Sequence, residues 1–137
     1  MSDKITARDI MRVPVFTAQE YMLVPDVIKI MVRNSITGLP VVDDDGNLMG
    51  IITWRMIMNL AIMGKAGNTR VAEAMSKQLN TYGPTCGPDT PVEQLLTSFA
   101  AYRINRMIVV DDSGLNFKIL GIICRRDIIT VMDQVYS

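Results

Sequence analysis

The chain has 137 residues, 49% hydrophobic and 20% charged, and its 14 basic side chains balance 14 acidic ones. That length and apolar content suit an ordinary domain, and zero net charge argues against a general binder of nucleic acid or of an anionic membrane, which would need surplus Lys and Arg. Histidine is absent, and the two cysteines, Cys86 and Cys124, form no CxxC pair; the commonest general base and a thiolate zinc site are both excluded.

No apolar run reaches the roughly 20 residues that span a bilayer, and residues 1–8 lack the apolar stretch of a signal peptide. The composition therefore predicts a cytoplasmic protein with no membrane insertion and no catalytic function.

In chain order, Asp9-Ile10-Met11 opens the pattern. Val24, Val27, Ile28, Met31 and Val32 then follow the spacing of one buried helical stripe, with Pro25 in the first turn, where a missing N–H costs nothing. Leu39–Val42 reads as a strand, Asp43–Asn47 as a turn with a glycine for positive φ, and the run after Gly50 as the return strand of a hairpin. Ile57, Leu60 and Ala61 mark a closing helix. Residues 64–70 form a polar, glycine-containing linker whose Gly64-Lys65 lacks the GxxxxGK[ST] pattern of a phosphate-binding P-loop.

The same order then recurs. Glu73-Ala74-Met75 echoes the opening, and Asp89-Thr90 offers caps for a helix with Pro91 at its start and a stripe of Val92, Leu95, Leu96, Phe99 and Ala100. Met107–Val110, the turn Asp111–Asn116, the run at Gly121 and a helix through Ile128, Val131 and Met132 complete it. Met11 and Met75, Asp43 and Asp111, and Gly50 and Gly121 lie 64, 68 and 71 residues apart, and the whole length is close to twice 68. Each copy reads β-α-β-β-α, an α/β (α+β) unit, spanning 7–63 and 71–134. About 65 residues is near the lower limit for independent stability, so the copies are expected to pack about a pseudo-twofold axis and enclose a cleft with two related corners.

The Asp-Ile-Met opening, the segment Thr37-Gly38-Leu39-Pro40-Val41-Val42-Asp43 and the Gly-x-x-[ST]-x-x-Asp stretch, in order and repeated, resemble a tandem pair of cystathionine β-synthase (CBS) domains, a Bateman module. The resemblance covers about Ala7 to Asp133. It implies a regulatory, ligand-sensing module that binds an adenosine-containing ligand such as AMP, ADP, ATP or S-adenosylmethionine in the inter-repeat cleft. It also implies a homodimer, and with no second domain in view the regulated effector protein is expected on a separate chain. The alternative is a ligand-independent scaffold whose nucleotide sites have decayed.

The chemistry of that last stretch has its own logic. Its hydroxyl position falls beside a helix N-terminus, where free N–H groups and the helix dipole favour a phosphate. Its carboxylate, three residues on, can accept both ribose hydroxyls. Copy one keeps Thr53 but has Met56 at the carboxylate position, whereas copy two has Cys124 and keeps Asp127. Gly50 and Gly121 are read as allowing a ligand close to the strand backbone. From the family's cross-repeat geometry, the Asp127 corner would hold the base near Val15, Phe16 and Ile122, with the backbone of Thr37 and Gly38 opposite. Arg55, Arg106 and Arg126 are the candidate phosphate ligands, with Asn105 beside Arg106. The 11 methionines read as core filler and Cys124 as a small buried apolar residue.

Overall fold

The computed structural model describes residues 5–78, 85–111, 113 and 117–136. Two compact units emerge, and they differ from the sequence copies in one respect. The first combines Met1–Val15 with Leu79–Ser137, and the second is Phe16–Gln78. Each copy's opening turn has therefore joined the other copy's unit.

In the second unit, strands β1 (Ala18–Gln19), β2 (Gly38–Val42) and β3 (Leu48–Thr53) form a sheet in that order, with helix α2 (Val24–Asn34) between β1 and β2 and α3 (Trp54–Ile62) after β3. The β1–β2 pair is parallel, and β2–β3 is an antiparallel hairpin. The first unit repeats this with β4 (Thr85–Cys86), α5 (Val92–Tyr102), β5 (Arg106–Asp111), β6 (Lys118–Cys124) and α6 (Arg125–Tyr136). Even the irregularities repeat. Each hairpin shifts register between its two valines, at Val41/Val42 and Val109/Val110. Helices α2 and α5 both end on a left-handed residue, Ser35 (φ 53°) and Arg103 (φ 52°).

The hairpin turns are held by one aspartate each. Asp43 accepts the Asn47 N–H at 2.9 Å, the Asn47 side-chain amide at 3.1 Å and the Asp45 N–H at 3.0 Å, and Asp111 Oδ1 accepts the Ser113 hydroxyl at 2.6 Å and the Ser113 N–H at 3.0 Å. These bonds favour the ionised carboxylates and pull both groups below their ordinary range. Gly46 takes φ +83°, the conformation its turn requires. In the second turn, Asp112 and Gly114–Asn116 lie outside the described residues.

The opening segments are one-turn helices, α1 (Ala7–Ile10) and α4 (Val71–Ala74). Ahead of α4, Thr69–Val71 runs beside Met22–Val24: the Val24 N–H meets the Thr69 carbonyl at 2.9 Å, and the Val71 N–H meets that of Met22 at 2.8 Å. Ahead of α1, the Ala7 N–H meets the Thr90 carbonyl at 2.9 Å and the Val92 N–H meets that of Ile5 at 3.0 Å. After the turns, Ser76 pairs with Ile51 and Arg12 with Ile122. Ala7 and Val71 are fully buried in the respective cores.

Three expectations are corrected. The helix stripes are narrower than predicted, because one helical face suffices to cover a three-stranded sheet. Val24, Val27 and Met31 are buried, but Ile28 and Val32 are exposed; Ala100 is likewise exposed beside buried Val92, Leu95 and Phe99. Helix α5 takes Pro91 itself as its N-cap, with no side-chain cap from Asp89 or Thr90. The glycines serve the chain rather than a ligand. A Cβ on Gly50 would lie 2.5 Å from the Ser76 carbonyl oxygen, and one on Gly121 would lie 2.6 Å from Met11 Sδ. What approaches each strand is the exchanged opening segment.

Candidate functional site

In the first unit the end of β6 and the start of α6 meet the start of β5. Arg106 is the register partner of Cys124, and the Arg125 N–H donates to the Asn105 carbonyl at 3.0 Å. Asp127 sits in the first turn of α6, with its side chain 12% exposed. Its Oδ2 accepts the Cys124 N–H at 2.8 Å, satisfying a donor that the helix start leaves open. Its Oδ1 accepts Nε–H of Arg12 at 2.7 Å.

Arg12 is the arginine that contacts this carboxylate, and further arginines act on the neighbouring Cys124. Burial pushes the Cys124 thiol up, the negative charge of Asp127 adds to the rise, and Arg12, Arg106 and Arg126 oppose it. Arg12, Arg106 and Arg126 thus all act on the thiol beside Asp127. Arg106 is half-buried, and desolvation lowers its pKa, whereas hydrogen bonding to Asp127 raises that of Arg12. Arg126 and Asn105 are exposed, and Ile122 is half-buried on β6. Val15 belongs to the same unit, three residues beyond Arg12.

The remaining predicted residues belong to the second unit and occupy equivalent places there. Gly38 is the register partner of Thr53, and the Trp54 N–H donates to the Thr37 carbonyl at 3.0 Å. Thr53 is the N-cap residue of α3, yet its buried Oγ1 makes no cap hydrogen bond. Met56 packs against the core where Asp127 stands in the other unit. The guanidinium of Arg55 lies 4.8 Å from the Trp54 ring centre, a cation–π contact that competes with its reading as a phosphate ligand. Phe16 is 50% exposed.

Arg12 is the residue that sequence reasoning missed. Its pair with Asp127 spans 115 positions, and no local pattern links them. One signal is present: Met11 and Met75 are repeat equivalents, so Arg12 stands opposite Ser76 as Asp127 stands opposite Met56. Among the described residues, no cluster of His, Cys, Asp and Glu could hold a metal ion, and no helix is long and apolar enough to cross a membrane.

A repeated three-stranded α+β unit with a charged corner at the head of its last helix defines the class. The chain belongs to the CBS domain family, which matches residues 7–62 and 71–134. It is 32% identical over 130 residues to the L-aspartate semialdehyde sulfurtransferase of Methanocaldococcus jannaschii, a match that covers 93% of this chain but 23% of that enzyme. Among solved structures it is similar to the CBS domain pair of protein MJ0100, crystallised with 5′-methylthioadenosine and S-adenosyl-L-methionine (27% identity, TM-score 0.78, 96% of this chain and 98% of that one). CBSX2 of Arabidopsis thaliana, also crystallised with AMP, shares the fold at 23% identity, TM-score 0.80 and 96% and 98% coverage.

Proposed function

We propose that this chain is a regulatory module that senses an adenosine-containing ligand through the corner headed by Asp127. The observation that carries this reading is a carboxylate at the start of α6 anchored by Arg12 and by the Cys124 N–H, next to a thiol on which Arg106 and Arg126 also act. In this reading Asp127 accepts the ribose hydroxyls, and Arg106 and Arg126 with the first turn of α6 take a phosphate. The base lies by Ile122 and Val15, and Asn105 and Cys124 border the site. Phe16, Thr37, Gly38, Thr53 and Arg55, all of the second unit, are the other residues for which the family resemblance implies a role. The ligand-bound MJ0100 pair, a match over nearly all of both chains, supports the class of ligand.

The role is regulatory rather than catalytic. The curated relative is an enzyme, but this chain corresponds to about a quarter of it. The regulated activity then belongs to an effector outside these residues, in the cytoplasm. A homodimer accords with the exposed apolar stripe of Trp54, Met58 and Ile62 on α3.

A thermal-shift panel of AMP, ADP, ATP and S-adenosylmethionine tests this reading, because a ligand that prefers the folded state must stabilise it, by about 2.7 kcal/mol at 100 times Kd. At least one is expected to raise the melting temperature saturably, with the nucleotides ahead of the sulfonium because Arg106 and Arg126 are assigned to a phosphate. No shift with any of the four contradicts the reading.

A second reading, a ligand-independent scaffold, draws on the fact that both Asp127 oxygens already hold protein donors. Nucleotide carried through purification, seen as excess absorbance at 260 nm, would count against it.

A further inference from the structure

We infer that Arg12 is the positioning residue of the Asp127 site, holding the carboxylate in the orientation that accepts a ribose; this rests on the functional reading above. The backbone fixes Arg12 first. The Arg12 N–H donates to the Ile122 carbonyl at 2.8 Å, and the Ile122 N–H donates back to the Arg12 carbonyl at 3.1 Å. Arg12 is thereby tied to β6 five residues before Asp127, and its exposed side chain reaches along the strand end rather than trailing in solvent.

The carboxylate is then held at both ends. The Cys124 N–H fixes Oδ2 and the Arg12 Nε–H fixes Oδ1, which sets the rotation of the group. An ionised carboxylate offers about four acceptor sites. Two are used in this way, leaving one on each oxygen for a vicinal diol, which donates two hydrogen bonds side by side. The charge-assisted bond from Arg12 holds the acceptor in place without consuming those two sites.

The chain carries its own control. At the equivalent positions of the second unit, Ser76 replaces Arg12 and Met56 replaces Asp127. Where the carboxylate is absent, so is the cation, although the backbone pairing of Ser76 with Ile51 is kept at 2.9 Å in both directions. The fold itself therefore does not need an arginine at this place. The side chain serves Asp127.

The test is calorimetric titration of the full chain and of the R12A, R12M and R12K variants with AMP and with 2′,3′-dideoxyadenosine monophosphate, which lacks both ribose hydroxyls. For AMP, R12A and R12M are expected to lose about tenfold in affinity, and R12K to recover part of it, since one charged hydrogen bond acts indirectly here. For the dideoxy compound, the four proteins should bind alike. Unchanged AMP affinity in R12A, or an equal loss for both compounds, overturns the inference while leaving the functional reading in place. No saturable AMP binding by the unsubstituted chain overturns the inference, and the functional reading falls with it only if ADP, ATP and S-adenosylmethionine also fail to bind. Melting temperatures within a few degrees of one another across the variants keep the comparison free of folding effects.

Discussion

Replacing Asp127 by alanine is expected to weaken AMP binding ten- to a hundredfold while leaving the chain folded. The two effects have separate origins. A charged acceptor that takes two ribose hydroxyls contributes roughly 1.5–3 kcal/mol per hydrogen bond, and losing one such contribution already accounts for the tenfold limit. Stability suffers less. The variant loses the acceptor for the Cys124 N–H and its pair with Arg12, whose side chain is 53% exposed. A lost cap costs about 1 kcal/mol, and a partly solvated ion pair adds up to about 1 kcal/mol. Asp127→Asn separates these contributions, since its amide oxygen can still cap the helix but carries no charge. Titration calorimetry beside thermal melts checks the pattern. Full AMP affinity in Asp127→Ala would remove this residue from the site.

The second large effect concerns the exchanged opening segment. Deleting residues 1–14 should destabilise the unit that contains copy two, even though the deleted residues open copy one. Ala7 is fully buried there, and Ile10 and Met11 pack against a core made of Leu95, Phe99, Met107, Val109, Ile123 and Ile128. Losing two large apolar contacts and several backbone hydrogen bonds is expected to cost about 3–5 kcal/mol, a large share of the roughly 5–15 kcal/mol that holds a typical domain together. Urea denaturation gives the total. Hydrogen exchange gives the place: amides of β5 and β6 should lose protection before those of β2 and β3. Preferential loss in β2 and β3 would mean that the opening segment stabilises its own copy.

That exchange also marks the boundary of what the amino-acid sequence reveals. Apolar periodicity and turn chemistry are local, so the order of strands and helices, the two hairpins and the left-handed glycine at Gly46 are all directly legible. The repeat adds a check, because a feature seen once, such as the Asp43 turn, can be sought again at Asp111. Which copy receives an opening turn depends on contacts across the whole chain, and a repeat makes the two choices look alike. The same limit hides Arg12, whose partner is 115 residues away. Gly50 and Gly121 do mark places of close approach, but the approaching atoms belong to Ser76 and Met11. Periodicity overstates the helix stripes because hydrophobicity does not say how much sheet there is to cover; Ile28 and Val32 remain exposed at 37% and 74%. Family resemblance supplies the ligand class, which no periodicity contains.

The asymmetry between the two units bears on how such a module could work. One unit retains a carboxylate with its arginine partner, and the other has Met56 packed against the core, Ser76 beside Ile51 and a buried Thr53 hydroxyl without a hydrogen-bond partner. A chain with two equivalent corners would be expected to take two ligands. With this division of residues, one adenosine-containing ligand per chain is the expectation, bound at the corner that kept its charges.

If Asp127 reads the ribose of an adenine nucleotide, a crystal structure of the chain with AMP will show it. Both ribose hydroxyls are expected within about 3 Å of the Asp127 carboxylate, with the phosphate against the first turn of α6 and the Arg12 contact still in place. AMP seated with its ribose away from Asp127, or held at Thr53 in the second unit instead, would contradict that role.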